Sequence, residues 1–255
     1  MKKVLLLLIV VIAISCKNEP KKETQSEVKV VEVKKESFPE ELGKVFKAHG
    51  GIDTWRNAEI LSFKKGEEVH TVDLKSRINV IKAPNYAVGF DGKEIWLDEA
   101  EKGAFKGNPA FYHNLYFYFY AMPFVLADDG IIYEKIAPLT YNEISYPGYK
   151  ISFKADKGSS PDDNYKLYYN PETYQMEWLA YTATFKTKKP SDKFNLIKYG
   201  TWNNVNGLFL PAEITWYKKD ENGVPTEPAR PATAFTEASI KKNDLLDSFF
   251  AKPLK

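Results

Sequence analysis

A mainly β protein of α+β class, built on one large curved antiparallel sheet, is the fold that this sequence predicts. Three observations predict it. Apolar residues recur at every second position in Ile78/Val80, Tyr86/Val88/Phe90, Tyr149/Ile151/Phe153, Tyr165/Leu167/Tyr169 and Leu179/Tyr181/Ala183/Phe185, the period of strands with one buried face. Turn chemistry falls between such runs, at Asp91-Gly92, Pro147-Gly148, Asn170-Pro171, Asn206-Gly207 and Asn222-Gly223. Strands and helices do not alternate along the chain, which disfavours a parallel sheet and the Rossmann and TIM architectures. About ten strands in hairpin order are expected between Glu59 and Lys242.

The elements follow in chain order. Lys2 and Lys3 precede an unbroken apolar run from Val4 to Ile14. A bilayer span needs about 20 residues, so this shorter run reads as the core of a signal peptide covering residues 1–15. Ala13-Ile14-Ser15 then leads into the single cysteine, Cys16. A small residue before a lone cysteine resembles the lipobox of bacterial lipoproteins. The resemblance implies cleavage before Cys16, a diacylglycerol on its thiol and an acylated N-terminus. Lys17 beside that cysteine, with no Asp there, resembles the pattern of an outer-membrane destination. Residues 16–36 hold almost no large apolar side chains, and such a segment cannot offset its ordering entropy by burial. It is expected to be a tether with a reach of about 25 Å.

A single β domain is expected over residues 37–255. Pro39-Glu40-Glu41 reads as the first turn of a helix, with the acids facing the dipole. Leu42, Val45 and Phe46 give that helix an apolar stripe, Gly50-Gly51 ends it, and Ile52–Ala58 adds a further turn carrying Trp55. The run from Asn108 to Leu126, NPAFYHNLYFYFYAMPFVL, interrupts the strands. Asn108 is a good N-cap and Pro109 a good first helical residue. Phe117 and Phe119 also alternate with Tyr116, Tyr118 and Tyr120, as in a strand, but the cap and Pro123 favour the helix. A helix apolar all round must be buried on every side or lie inside something hollow.

Composition excludes some function classes. Lys2 and Lys3 account for the whole surplus of 36 basic over 34 acidic residues. The domain beyond them is neutral, unlike a nucleic-acid binder that must neutralise phosphates. With Cys16 lipidated, no cysteine is left for a disulfide. His49-Gly50-Gly51 resembles an esterase oxyanion loop, but the chain has no G-x-S-x-G elbow, and Gly158-Ser159-Ser160-Pro161 does not fit one. The glycines read as the end of a helix. His49, His70 and His113 lack zinc-site spacing, and Asp128-Asp129-Gly130 and Asp162-Asp163 read as turns. No catalysis, metal or cofactor is expected.

Local motifs carry a further resemblance. Phe90-Asp91-Gly92-Lys93-Glu94-Ile95-Trp96-Leu97 resembles the D-G-K-x-[IL]-W hairpin of the Lol lipoprotein carriers LolA and LolB. Tyr168-Tyr169-Asn170-Pro171-Glu172-Thr173 is similar to their later strand–turn segment. His49-Gly50-Gly51 with Trp55, and the ending Ser248-Phe249-Phe250-Ala251-Lys252-Pro253, resemble an uncharacterised family of Gram-negative envelope lipoproteins. The carrier resemblance implies a half-open β-barrel, with the N-terminal helix and the central apolar helix packed on its concave face. The carrier of the periplasm is soluble, so the anchored acceptor, or a relative with a different cargo, is the nearer analogue.

Sixteen Tyr, sixteen Phe and five Trp exceed what a plain core requires, so a subset is expected to line an apolar pocket. The expected function is an outer-membrane lipoprotein, lipid-anchored, that binds or shuttles a lipid or other apolar ligand without catalysis. Phe111, Tyr112, Leu115, Tyr116 and Phe119 on the helix, with Trp96 and Trp178 on strands, are the expected lining. The expected partners are the membrane, through Cys16, and that ligand, with no nucleic acid. The alternative is a protein-interaction or envelope-sensing domain with a filled core.

Overall fold

Leu42, Val45 and Phe46 lie on one stripe of α1 (Glu40–Ala48) and are buried, as their spacing requires. The computed structural model describes residues 38–128, 130–153, 163–187 and 189–254, and Phe38–Lys255 form one unit. The signal peptide, Cys16, the tether and the Gly158–Asp162 motifs lie outside the described residues. Gly50 ends the helix at φ +104°, and a side chain there would strike the Gly207 carbonyl oxygen at 2.0 Å. Only glycine permits both the conformation and the approach. α2 (Ile52–Asn57) follows and buries Trp55, as expected.

Five strands come next in hairpin order: β1 (Ile60–Lys65), β2 (Glu68–Asp73), β3 (Asn79–Lys82), β4 (Tyr86–Phe90) and β5 (Ile95–Glu99). The central segment is helical, as the Asn108 cap implied: its side chain accepts from the Ala110 and Phe111 amides. It is not one helix, however. It breaks into α3 (Pro109–Tyr112), α4 (Leu115–Tyr120) and a 3₁₀ turn at Phe124–Ala127. Bulky aromatic and β-branched side chains are middling helix formers, so packing rather than propensity sets its course.

The second half is again antiparallel: β6 (Ile131–Tyr141), β7 (Ile144–Phe153), β8 (Tyr165–Tyr169), β9 (Met176–Tyr181), β10 (Asn195–Tyr199), β11 (Trp202–Val205), β12 (Leu208–Pro211), β13 (Glu213–Lys219), β14 (Pro225–Pro228), β15 (Thr233–Ala234) and β16 (Thr236–Lys241). Asn206 and Gly207, at φ +53° and +88°, make the β11–β12 hairpin turn. Pro147-Gly148 is not a turn but lies inside β7, with Gly148 opposite Tyr168. Ala183 and Phe185 fall beyond the end of β9.

The sixteen described strands divide between two large sheets and a hairpin, where one sheet of about ten had been expected. One sheet has the order β16-β1-β2-β3-β4-β5; the other runs β14-β13-β10-β9-β8-β7-β6 with β15 on β13. The chain crosses from the second sheet to the first at Phe235. Ala234 pairs with Glu213, Thr236 pairs with Lys64, and Phe235 between them is buried. Both inner faces contribute to one apolar cluster, including Leu61, Phe63 and Val72 from the first and Ile151, Leu167, Leu179 and Ile214 from the second. Among the described residues the ladder does not close, which leaves a mainly β, open antiparallel arrangement with the central segment against its inner side.

Candidate functional site: the central aromatic segment

The backbone–backbone hydrogen bonds given for residues 108–127 stay within the segment, for example Tyr118 N to Asn114 O and Ala121 N to Phe117 O. Side chains attach it to both sheets. Tyr120 stacks on Phe63 at 4.1 Å between ring centroids and meets Phe235 at 4.8 Å. Phe119 lies 5.1 Å from Tyr181 and 5.7 Å from Trp216. The Tyr199 hydroxyl donates to the Phe119 carbonyl at 3.0 Å, and the Tyr133 hydroxyl donates to the Leu126 carbonyl at 2.6 Å. These rings pack the contact between the sheets and the segment.

A buried polar centre holds the start of the segment. Glu68 accepts from the Tyr112 hydroxyl at 2.8 Å, His70 Nε2 at 3.1 Å, Lys65 Nζ at 2.8 Å and the Tyr86 hydroxyl. Burial alone would raise its pKa; the hydrogen bonds from His70, Lys65, Tyr86 and Tyr112 outweigh it and hold the carboxyl at about 2. Burial, together with the bond to Glu68, pushes both tyrosine hydroxyls up. His70 is pushed down by burial, although Glu68 opposes this, and its ring stacks on Phe63 at 4.7 Å. A carboxylate has about four lone-pair sites. Those of Glu68 are taken by these donors, so it holds strands and segment together instead of accepting a proton.

His49 closes α1. It is fully buried, accepts from the Met176 amide through Nε2 at 2.9 Å and donates from Nδ1 to the Phe209 carbonyl at 3.3 Å. That matches its reading as part of a helix end, and burial lowers its pKa to about 4. The three histidines serve three different places, and no group of potential metal ligands exists among the described residues.

At the other end of the segment, Arg77 Nη2 donates to both Asp128 carboxylate oxygens, at 2.8 and 2.9 Å. Its guanidinium lies 5.3 Å from the Phe117 ring.

The structure brings together only part of the expected lining. Leu115, Tyr116 and Phe119 join the main apolar cluster, and Tyr112 reaches it through Tyr116 at 5.7 Å. Phe111 turns instead to Phe185, at 5.3 Å. Trp96 and Trp178 belong to neither place. Trp96 packs with Ile60, Val80 and Phe250 in a separate cluster, over Gly89 directly opposite it, and donates from Nε1 to the Phe250 carbonyl at 2.9 Å. Trp178 sits among Tyr141, Tyr146 and Tyr217 in another. The physical reason is pleat parity: Leu179 faces the core, so its neighbour Trp178 must face away. The Glu68 centre was missed, although Glu68-Val69-His70 placed two polar side chains on one face of a strand.

The fold and this segment define a mainly β protein with an open antiparallel frame around an aromatic insert that is half-buried at α3 and buried from Phe119 onward. The chain is similar to a solved LolA superfamily protein from Nitrosomonas europaea (TM-score 0.41, 9% identity, 82% of this chain and 96% of that one). It is likewise similar to a DUF1329 family protein from Desulfovibrio piger (TM-score 0.44, 10% identity, 81% and 95%). A third similarity is to a domain described as an outer membrane lipoprotein-sorting protein from Vibrio parahaemolyticus (TM-score 0.36, 6% identity, 80% and 97%). No curated protein matches the sequence. The chain belongs to DUF6503, a family of unknown function, whose model matches residues 2–222.

Proposed function

We propose that this protein is an envelope lipoprotein, held to the outer membrane through Cys16, whose β domain binds an apolar or amphiphilic ligand such as an acyl chain without catalysis. One observation carries the reading: the central segment rests against two apolar sheet faces through side chains and the Tyr133 and Tyr199 hydroxyls, and it shares no backbone–backbone ladder with the sheets among the described residues. Such an element can leave the sheets without breaking their ladders, and an acyl chain can replace its rings with little change in buried apolar area. Binding is then a displacement, with Leu115, Tyr116 and Phe119 giving way at the inner faces. The membrane attachment rests on the N-terminal sequence alone. A second reading, an interaction domain with a filled core, is favoured by the mutual ring contacts of Tyr120, Phe63 and Phe235.

The test starts from Cys16→Ser, which should move the protein out of the membrane fraction with its sheet circular-dichroism signal intact. Acyl chains hold a protein in the bilayer at about 0.8 kcal/mol per buried CH₂, so their loss is decisive. The released protein is then titrated with a fluorescent fatty acid, and native mass spectrometry counts co-purifying lipid. Saturable uptake, enhanced by Tyr120→Ala, supports the ligand reading. Absence of uptake in both proteins sinks it in favour of the filled-core domain.

A further inference from the structure

One arginine beside the central segment has no counter-charge. Arg230 lies between β14 and β15, in Pro228-Ala229-Arg230-Pro231, and both strands pair with β13. The two prolines fix φ at their own positions, and Pro231 also holds Arg230 toward extended backbone. The Ala229 amide donates to the Trp216 carbonyl at 2.7 Å, which ties this link to β13. The Arg230 guanidinium lies over the Trp216 indole, 3.5 Å from the ring centroid. That contact positions the group without using its N–H donors.

Trp216 connects this charge to the segment. It packs against the main apolar cluster, meets Phe119 at 5.7 Å, and donates from Nε1 to the Tyr181 hydroxyl at 3.0 Å. Tyr181 in turn lies 5.1 Å from Phe119. Burial raises the Tyr181 pKa, and the Trp216 bond and the Arg230 charge oppose that rise. Arg230 therefore stands one ring away from Phe119.

The acids of the flanking elements are engaged elsewhere. Asp163 accepts from the Thr184 amide and hydroxyl at 2.8 and 2.7 Å. Glu227 pairs with Lys218 at 2.8 Å, and Glu237 pairs with Lys64 at 2.7 Å. Among the described residues Arg230 makes no hydrogen bond or ion pair, and it is exposed. Lys65 is the contrast. It too lies over a ring of the segment, Tyr116 at 4.4 Å, but Glu68 matches its charge at 2.8 Å.

We propose, on the basis of the acyl-binding reading above, that the ligand is an anionic amphiphile, a chain ending in a carboxylate or phosphate, whose head is held by Arg230. The chain takes the place of Phe119 against Tyr181 and Trp216, and the oxyanion replaces water on the guanidinium donors. Carboxylate and phosphate both present the pair of oxygens that a planar guanidinium matches.

Titration of the full chain carrying Cys16→Ser with dodecanoate, dodecyl phosphate and dodecanol, each below its micellar concentration, tests the proposal. Arg230→Gln should weaken the two anions about tenfold, the scale of a lost charge-assisted hydrogen bond, and leave dodecanol unchanged. The neutral alcohol shows in the same experiment that the variant is folded and still takes a chain. A larger loss for dodecyl phosphate assigns the head to phosphate-bearing lipids, and a larger loss for dodecanoate assigns it to fatty acids. If Arg230→Gln weakens all three equally, or none of them, Arg230 does not read the head and the proposal falls while chain binding stands. If neither protein binds any of the three, the acyl-binding reading falls and takes this proposal with it.

Discussion

The two ends of the central segment are fastened by ionised groups of opposite kind. At the Tyr112 end, the carboxylate of Glu68 is buried and meets four donors from β1, β2, β4 and α3. At the Asp128 end, the guanidinium of Arg77 meets one carboxylate, keeps a spare buried nitrogen and borders a cleft. A saturated centre has nothing left to offer a ligand and serves cohesion. An unsaturated one leaves a buried donor uncompensated and contributes less to cohesion.

The comparison breaks most directly at Glu68. Glu68→Ala leaves Lys65, His70 and two tyrosine hydroxyls without their shared acceptor, and orphaning partners of a buried ion pair costs about 3–5 kcal/mol. Urea unfolding should show a loss of that size, whereas a loss below about 1 kcal/mol would reduce the centre to a surface-like pair.

The next largest effect is a pH dependence. Burial lowers His49 from 6.5 to about 4, so it is neutral in the fold and takes up a proton more readily in the unfolded chain. Stability is therefore lost as pH falls from about 6.5 to about 4, and the His49 share is level below that. The share amounts to about 3 kcal/mol. His113, lowered by burial to about 4, adds in the same direction. Chemical unfolding at several pH values, repeated on His49→Gln, should give a flatter profile in the variant; identical slopes would mean that His49 is not the sensor.

Arg77→Asn sharpens the comparison at the small end. Asn tolerates the positive φ, and the Asp128 carboxylate left behind is partly exposed. Its cost to stability should stay below about 1 kcal/mol by thermal unfolding. A loss comparable to that of Glu68→Ala would make the two ends equivalent and remove the contrast.

Local signals were legible in the sequence because they concern neighbours along the chain. The stripe of α1, the turn carrying Trp55, the Asn108 cap and the Asn206-Gly207 hairpin all involve contacts within a few residues. The period-two runs likewise announced an antiparallel β protein. Even the exclusion of Trp178 from the interior was available, since it alternates with Leu179, which was read on the inner face.

What only the tertiary structure decided are the relations between distant residues. The division into two sheets depends on Phe235 carrying the chain across, and no local pattern encodes which strand the next one will meet. The breaks in the central segment follow from the rings it must meet on both sheets. Glu68 and Tyr112 stand 44 positions apart, and Arg77 and Asp128 stand 51 apart. The sequence by itself determined the element types and the apolar faces, because propensity, capping and pleat parity act over a few residues. Tertiary structure alone determined which polar groups are satisfied and which are left over, because satisfaction depends on the partners that folding brings within about 3 Å.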